Sequence, residues 1–383
     1  MVSNNKKSGR YTTATNSVKL MLLQNKSFLD TRERIHGKTS FLPESFVTWS
    51  IAKPRTGQTT RRKTAGEELI STFLLFGAGL ISLIIGNSAF GDSLLLWAIP
   101  VSQLCLLSSL RMQRLTLMHA CSHNAVFSNP FWNEALGEFI SILTLSVPFQ
   151  AYKKKHCETH HSKQLMHPGD ETYQFFYKAG FHQGMTSEQA WQHLIKIIYS
   201  PTFHCRQFLN RLKSTFCSTD ATHNSLAFGF WLSVLGLVTI TDSWAVFLLV
   251  FVPTLSVFFE ISSVLRQCVE HKFAQTPGEM TSAIFCCEEP PIFNKFDPIW
   301  VKFWGETRWW LRLFFYHLPV RLLILTGDSP VHDYHHRRPA GDWVNAHCDR
   351  QAEVEAGVYY SHSWGLLEAI NKTFKSLSKM PTN

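Results

Sequence analysis

Residues 69–89 read LISTFLLFGAGLISLIIGNSA, 21 residues without a charged side chain. A helix of that length rises about 30 Å, the thickness of the hydrocarbon core of a bilayer. A second uncharged run, SLLLWAIPVSQLCLLSSL, occupies residues 93–110, joined to the first through Phe90-Gly91-Asp92. Residues 226–240 and 244–259 repeat the arrangement around Thr241-Asp242-Ser243, with runs of 15 and 16 residues. Those two are short for a span, and a pair of buried soluble helices is the competing reading of the second hairpin.

Charge separates the two readings. Arg61, Arg62 and Lys63 precede the first hairpin, Arg111 and Arg114 follow it, and Arg266 and Lys272 follow the second, whereas the two turns hold only Asp92 and Asp242. By the positive-inside rule the N-terminus, the segment between the hairpins and the C-terminal third are expected in the cytoplasm. The sequence therefore predicts an all-α integral membrane fold: two transmembrane helical hairpins (spans about 69–89, 93–110, 226–240 and 244–259) with a cytosolic helical cap. Residues 1–66 are expected as a basic N-terminal arm, 67–350 as the membrane and cap domain, and 351–383 as a C-terminal tail. The arm does not read as a cleavable leader, because the first long apolar run starts only near residue 69.

The 383 residues carry a net charge of +9, which invites a nucleic-acid reading. Residues 1–66 hold 13 Lys and Arg against three acids, so the arm alone supplies +10 and the rest of the chain −1. No DNA- or RNA-binding signature accompanies that charge, so no nucleic-acid partner is expected; anionic lipid suits the arm better. Charged residues make up 17% and aromatic residues 13%, which excludes a disordered chain. The vicinal pair Cys286-Cys287 and seven scattered Cys, without CxxC or knuckle spacing, read as free thiols in a reducing compartment.

Between the hairpins, 139–149 is apolar but too short to cross, and 188–199 has a helical pattern. Residues 300–316 form an aromatic amphipathic stretch. Its Trp304, Trp309 and Trp310 suit a headgroup-level belt, with a buried soluble helix as the alternative.

Half of the 18 His fall into four groups: His119-Ala-Cys-Ser-His123, His156-Cys-Glu-Thr-His160-His161, His271, and His332-Asp-Tyr-His335-His336. On an α-helix, positions i and i+4 share a face, so His119/His123, His156/His160 and His332/His336 can each approach one metal. His161 and His335 then point to neighbouring flanks, where a second metal would sit. Imidazole suits iron, copper and zinc. One such triplet arises by chance in about one chain of this composition in ten, and two in under about 1%. His271 alone would read as a core histidine; its company makes it a ligand candidate. All four groups follow the hairpins on the same predicted membrane face.

This pattern resembles the membrane fatty acid desaturase and hydroxylase superfamily over roughly residues 67–350. The words HACSHNAVF (119–127), RQCVEH (266–271) and HDYHHRRP (332–339) are closest to bacterial acyl-chain desaturases. The resemblance implies two non-haem iron ions, with O2 as co-substrate, held by His119, His123, His156, His160, His161, His271, His332, His335 and His336 on a cytosolic cap. In acyl-CoA desaturases an Asn one turn before the isolated His acts through a water; Gln267 stands there. The first box is HxxxH rather than the longer HxxxxH of animal acyl-CoA enzymes, which directs the reading to an acyl-lipid or carrier-bound acyl chain. The activity implied is desaturation with electrons from a separate ferredoxin or cytochrome b5-type donor, at the inner membrane of a bacterium or the endoplasmic reticulum of a eukaryote. A hydroxylase or ketolase of a lipid, alkane or carotenoid would use the same boxes.

Glu158, Asp170, Glu270 and Asp333 are candidates for fixing the imidazole tautomers; plain surface or cap residues are the alternative. His167-Pro168-Gly169-Asp170 is similar to the haem-binding HPGG of cytochrome b5 domains, but six residues after His161 there is no room for that domain. A metal transporter or metal-binding membrane protein would place ionisable residues within its spans, and the four apolar runs hold none.

Overall fold

The computed structural model describes residues 30–88, 97–162, 165–274 and 277–380. The first 29 residues of the basic arm, the Phe90–Asp92 turn and the start of the 93–110 run lie outside the described residues. Among the described residues, three helices are long and apolar enough to cross a membrane: Ala65–Asn87, Ala221–Ile240 and Trp244–Glu270, of 23, 20 and 27 residues. Large apolar side chains face outward along all three. Ile70, Leu74, Ile81 and Ile84 on the first, Leu232 and Leu237 on the second, and Leu248 and Leu249 on the third are all exposed. Water would penalise that surface, and lipid would not.

The helices of the second hairpin outrun their apolar runs, which resolves the shortness expected from sequence. One starts at Ala221, capped by Asp220 accepting from His223 N. The other continues from Trp244 to Glu270, through two π-helical turns that flank Pro253. Proline removes a hydrogen bond and forces the ladder to adjust. At about 40 Å this helix exceeds a bilayer's apolar thickness, so its last turns carry Arg266, Gln267 and Glu270 into the cap.

The 93–110 run is helical over Ala98–Met112 and continues through a π turn, Gln113–Leu117, into Met118–Ser122. It lies along Ala65–Ser88: Ser102 donates to Gly79 O and Ser109 to Thr72 O, at 2.9 and 2.8 Å. A Cβ on Gly79 would stand 2.8 Å from Leu106 Cγ, so glycine is what allows this approach. The same continuous helix thus links the first apolar hairpin to His119.

The fold is mostly helical, but not wholly so: Ala283–Phe285 pairs in parallel with His362–Trp364, Ile284 facing Ser363. Both expected extensions pack into the body. From residue 30 the arm is folded, with Ile35, Val47 and Ile51 buried against Cys287, Trp309 and Leu313. Its charges meet acids of the body, Arg34 with Glu289, Lys38 with Glu306 and Arg62 with Asp342 and Asp349. The C-terminal helix Leu366–Leu377 buries Ile370 and Phe374. Of the proposed aromatic belt, Trp304 is exposed but Trp309 is buried, its indole N–H donating to Glu288 O; Trp300 and Phe303 are the exposed partners of Trp304.

Candidate metal centre

The four sequence groups converge and then redistribute. His119, His123, His156, His161 and His335 bring one nitrogen each to a first cluster, and His160, His271, His332 and His336 to a second; within each, the ligand atoms lie within 4.8 Å of one another. The two His pairs at 119/123 and 332/336 stay together, as i and i+4 on a helix predict. His156 and His160 do not. Residues His156–His160 form a π turn, in which His161 N donates to His156 O, five residues back. The wider turn puts His156 beside His161 in the first cluster and aims His160 into the second. The α-helical expectation for this box is thereby corrected, and its physical reason is local.

Nitrogen spacing tests whether a metal fits. In the five-membered cluster, Nε2 atoms are 2.7 Å apart for His119 and His335, 3.1 for His123 and His156, 3.0 for His156 and His161, and 2.9 for His161 and His335. In the other, His160 and His271 are 3.2 Å apart and His332 and His336 3.1 Å. Nitrogens about 2.1 Å from one ion would be about 3.0 Å apart at right angles and about 3.4 Å apart at the tetrahedral angle. The observed distances are those of nitrogens that can share one ion. A neutral imidazole has one N–H and one lone pair, so these facing nitrogens cannot all satisfy one another; a cation between them can.

Electrostatics keep seven of these rings neutral. Burial, and then mutual repulsion among neighbouring imidazoles, holds His119, His156, His271, His335 and His336 well below the ordinary histidine range. Burial moves His123 to about 4 and His161 to about 2. At neutral pH each presents a lone pair, the form a metal binds.

The supporting carboxylates divide by position. Asp170 is fully buried; its Oδ1 is 2.8 Å from His160 Nδ1, and it also caps the helix Glu171–Ala179 through Tyr173 N. It holds the His160 ring from behind, with Nε2 facing the cluster. Asp333, between two histidines of its box, takes a bidentate pair of bonds from Arg350 Nε and Nη2 at 2.8–3.0 Å, both residues buried. Glu270 Oε1 is 3.0 Å from His332 Nε2, on the side of the ring that faces the cluster, so it stands among the donor atoms and does not back a ring. Glu158 is exposed on the π turn, and His167 is an exposed loop residue.

A cavity of about 290 Å³ opens beside the clusters, lined by His119, His156, His160 and His332, drawn from both. Gln267 also lines it, and its Oε1 is buried without a hydrogen-bond partner. Such an orphaned acceptor suits a water shared with a metal. Sequence reasoning missed the rest of this chamber: Arg111, Arg211 and Glu260 line it as well. Arg111 served only as a flanking topology charge. The signal was there, since an ionisable residue at the end of an apolar run is costly and calls for a partner.

Two histidine clusters able to hold metal, in a mostly helical chain with long apolar helices, are features of a membrane-associated metal-binding protein. A family model described as Fatty acid desaturase matches residues 95–363. The chain belongs to that family. No curated protein and no solved structure matches it.

Proposed function

We propose that the protein is a membrane-bound di-iron fatty acid desaturase that introduces a double bond into an acyl chain. The observation that carries this reading is the sorting of nine histidines into clusters of five and four, the ligand atoms of each within 4.8 Å of one another. All nine are assigned as ligands, and Gln267 as a contact made through a water. Two iron ions bound there supply, with O2, the oxidising power to remove hydrogen from an unactivated methylene.

The chain's own residues then have separate tasks. Asp170 accepts from His160 Nδ1–H and fixes the ring's tautomer, and the Asp333–Arg350 pair anchors the 332–336 box. Gln267 and Glu270 add oxygen atoms to the four-histidine side. The cavity receives the substrate and limits water around the reacting carbon. In this reading the N-terminus and the boxes face the cytoplasm, and electrons come from a separate ferredoxin or cytochrome b5-type protein, since the sequence shows no cofactor motif of its own.

Expression of the full chain in a lipid-profiled host, with His160→Ala as control, tests the proposal. A new unsaturated acyl species that His160→Ala abolishes supports desaturation. An added hydroxyl or keto group would move the assignment to the hydroxylase reading. A protein holding zinc, with no oxidation on ferrous reconstitution, would overturn both.

A further inference from the structure

A larger cavity, of about 580 Å³, lies apart from the histidine chamber and shares no lining residue with it. It sits between the folded part of the basic arm and the body. Glu44 and Trp49 of the arm helix Glu44–Ile51 line it, with Lys63 and, from the body, Arg321 and Trp343. One wall is closed by a pair of bonds: Lys63 N donates to Asn345 Oδ1 at 3.0 Å, and Asn345 Nδ2 donates to Lys63 O at 2.9 Å. A further cavity of about 290 Å³ adjoins it, and the two share Trp49, Lys63, Glu68, Arg321 and Gly327. From that junction the smaller one follows the apolar helix Ala65–Asn87 past Ser71 and Thr72 to Leu75, with Met112 and Leu322 on facing helices. Glu68 to Leu75 is a rise of about 10 Å along that helix, so the joined space leads from the cap into bilayer depth.

The chemistry of the lining changes in order along this space. The deep end is apolar, with Leu75, Met112 and Leu322. The junction is cationic. Lys63, its side chain 52% exposed, stands 3.5 Å from Glu68, and those two charges offset each other. Arg321 adds an uncompensated charge there: its guanidinium donates to the carbonyls of Trp49, Leu325 and Gly327, and no described carboxylate is ion-paired with it. The outer end is anionic. Glu44 and Asp328 line it beside the Trp343 ring, and neither has an ion-pair partner among the described residues. Burial lifts Asp328 to about 6, as expected of a carboxylate short of a cation. The other two basic side chains do not change this order. Arg61 is paired with Glu67, and burial lowers His347 to about 4, which leaves it uncharged. A zwitterionic phospholipid carries its groups in the same sequence: hydrocarbon, then phosphate, then an alkylammonium that acids and an indole face both attract. A lipid with an anionic head would set no cation against Glu44 and Asp328.

We infer that the joined cavities hold one zwitterionic phospholipid as a resident ligand, its tail beside Leu75, its phosphate at Lys63 and Arg321, and its ammonium between Glu44, Asp328 and Trp343. This site is separate from the histidine chamber, and the inference does not rest on the desaturase reading. Its wall includes Thr116 and Asp328, three residues before His119 and four before His332. A lipid seated there ties the arm to the first apolar helix and packs against the segments that lead into two of the histidine boxes.

The test uses the full chain, stripped of lipid in a maltoside detergent, with lipid returned in steps while the unfolding temperature is read. The probes are phosphatidylcholine, phosphatidylethanolamine, phosphatidylglycerol and diacylglycerol with the same acyl chains, and glycerophosphocholine as the head alone. At least one of the two zwitterionic lipids should reach its half-maximal shift at a tenfold or more lower concentration than phosphatidylglycerol and diacylglycerol, and glycerophosphocholine should give no shift at that concentration. The double variant Glu44→Gln with Asp328→Asn should bring the preference over phosphatidylglycerol close to one. Lys63→Met should weaken both kinds of phospholipid several-fold without affecting diacylglycerol, and Leu75→Trp, which fills the deep end, should weaken all of them. Equal or tighter binding of phosphatidylglycerol by the unaltered protein would overturn the inference whether or not the variants fold. So would an equal shift from glycerophosphocholine, which would make the ligand a soluble head, or a preference that the double variant leaves intact, which would put the lipid elsewhere. Absence of acyl-chain oxidation would count against the desaturase reading and leave this comparison of lipids unaffected.

Discussion

The two histidine clusters are built from the same side chain but finished differently. Five imidazoles face one another in the first, with nitrogens spaced to share one ion. The second has four imidazoles, with Glu270 Oε1 3.0 Å from His332 Nε2 and Gln267 Oε1 buried without a partner in the adjoining cavity. The difference teaches that the four-histidine side has oxygen atoms near its imidazoles, which in the proposed metal centre would be the side completed by oxygen or water. The π turn at His156–His160 creates the asymmetry, because it moves one histidine of its box across to the second cluster.

That contrast can be broken at several points. The largest effect is expected from His160→Ala and His335→Ala, one from each cluster: oxidation should fall to background in both, with membrane insertion kept, as product analysis and membrane fractionation would show. Full activity in either variant would remove that residue from the ligand set. Next is Arg350→Met, which leaves the buried Asp333 carboxylate unpaired at a cost of about 3–5 kcal/mol. Since Asp333 lies between ligands of both clusters, melting temperature and metal content of both should drop, and Arg350→Met with Asp333→Leu should recover part of the stability.

Asp170→Asn should weaken metal binding about 10–100-fold at the four-histidine cluster alone, because among the described residues no carboxylate backs a ring of the other cluster as Asp170 backs His160. Chelator titration would then show one weak and one unaltered site; equal weakening of both would contradict the division. Gln267→Ala should be milder, a few-fold loss of turnover with metal retained. Glu158→Ala should change nothing, since that side chain is exposed.

Much of this was legible in the sequence because its signals are strong in composition. Long uncharged runs mark membrane helices, and four histidine groups within one chain leave little room for coincidence. The ligand candidates were therefore visible one by one. Their division between clusters was not, because i/i+4 arithmetic presumes 3.6 residues per turn and the π turn changes that count locally. Net charge likewise gives no hint that Arg34, Lys38 and Arg62 meet acids more than 250 residues away. Asp170 and Glu270 both stand among the carboxylates the sequence offers, but which ring each meets, and on which side, is set by tertiary packing. Arg111 illustrates the remaining gap. Its charge was counted toward membrane sidedness, while its place against Ser263 and Phe259 in the chamber wall exists only in the folded chain.

Metal counting on the purified full-length chain, after ferrous reconstitution, tests the central claim most directly. The account predicts two iron ions per chain, with the Asp170→Asn variant releasing one of them selectively to a chelator. A single metal per chain, or tightly held zinc that iron does not replace, would contradict it.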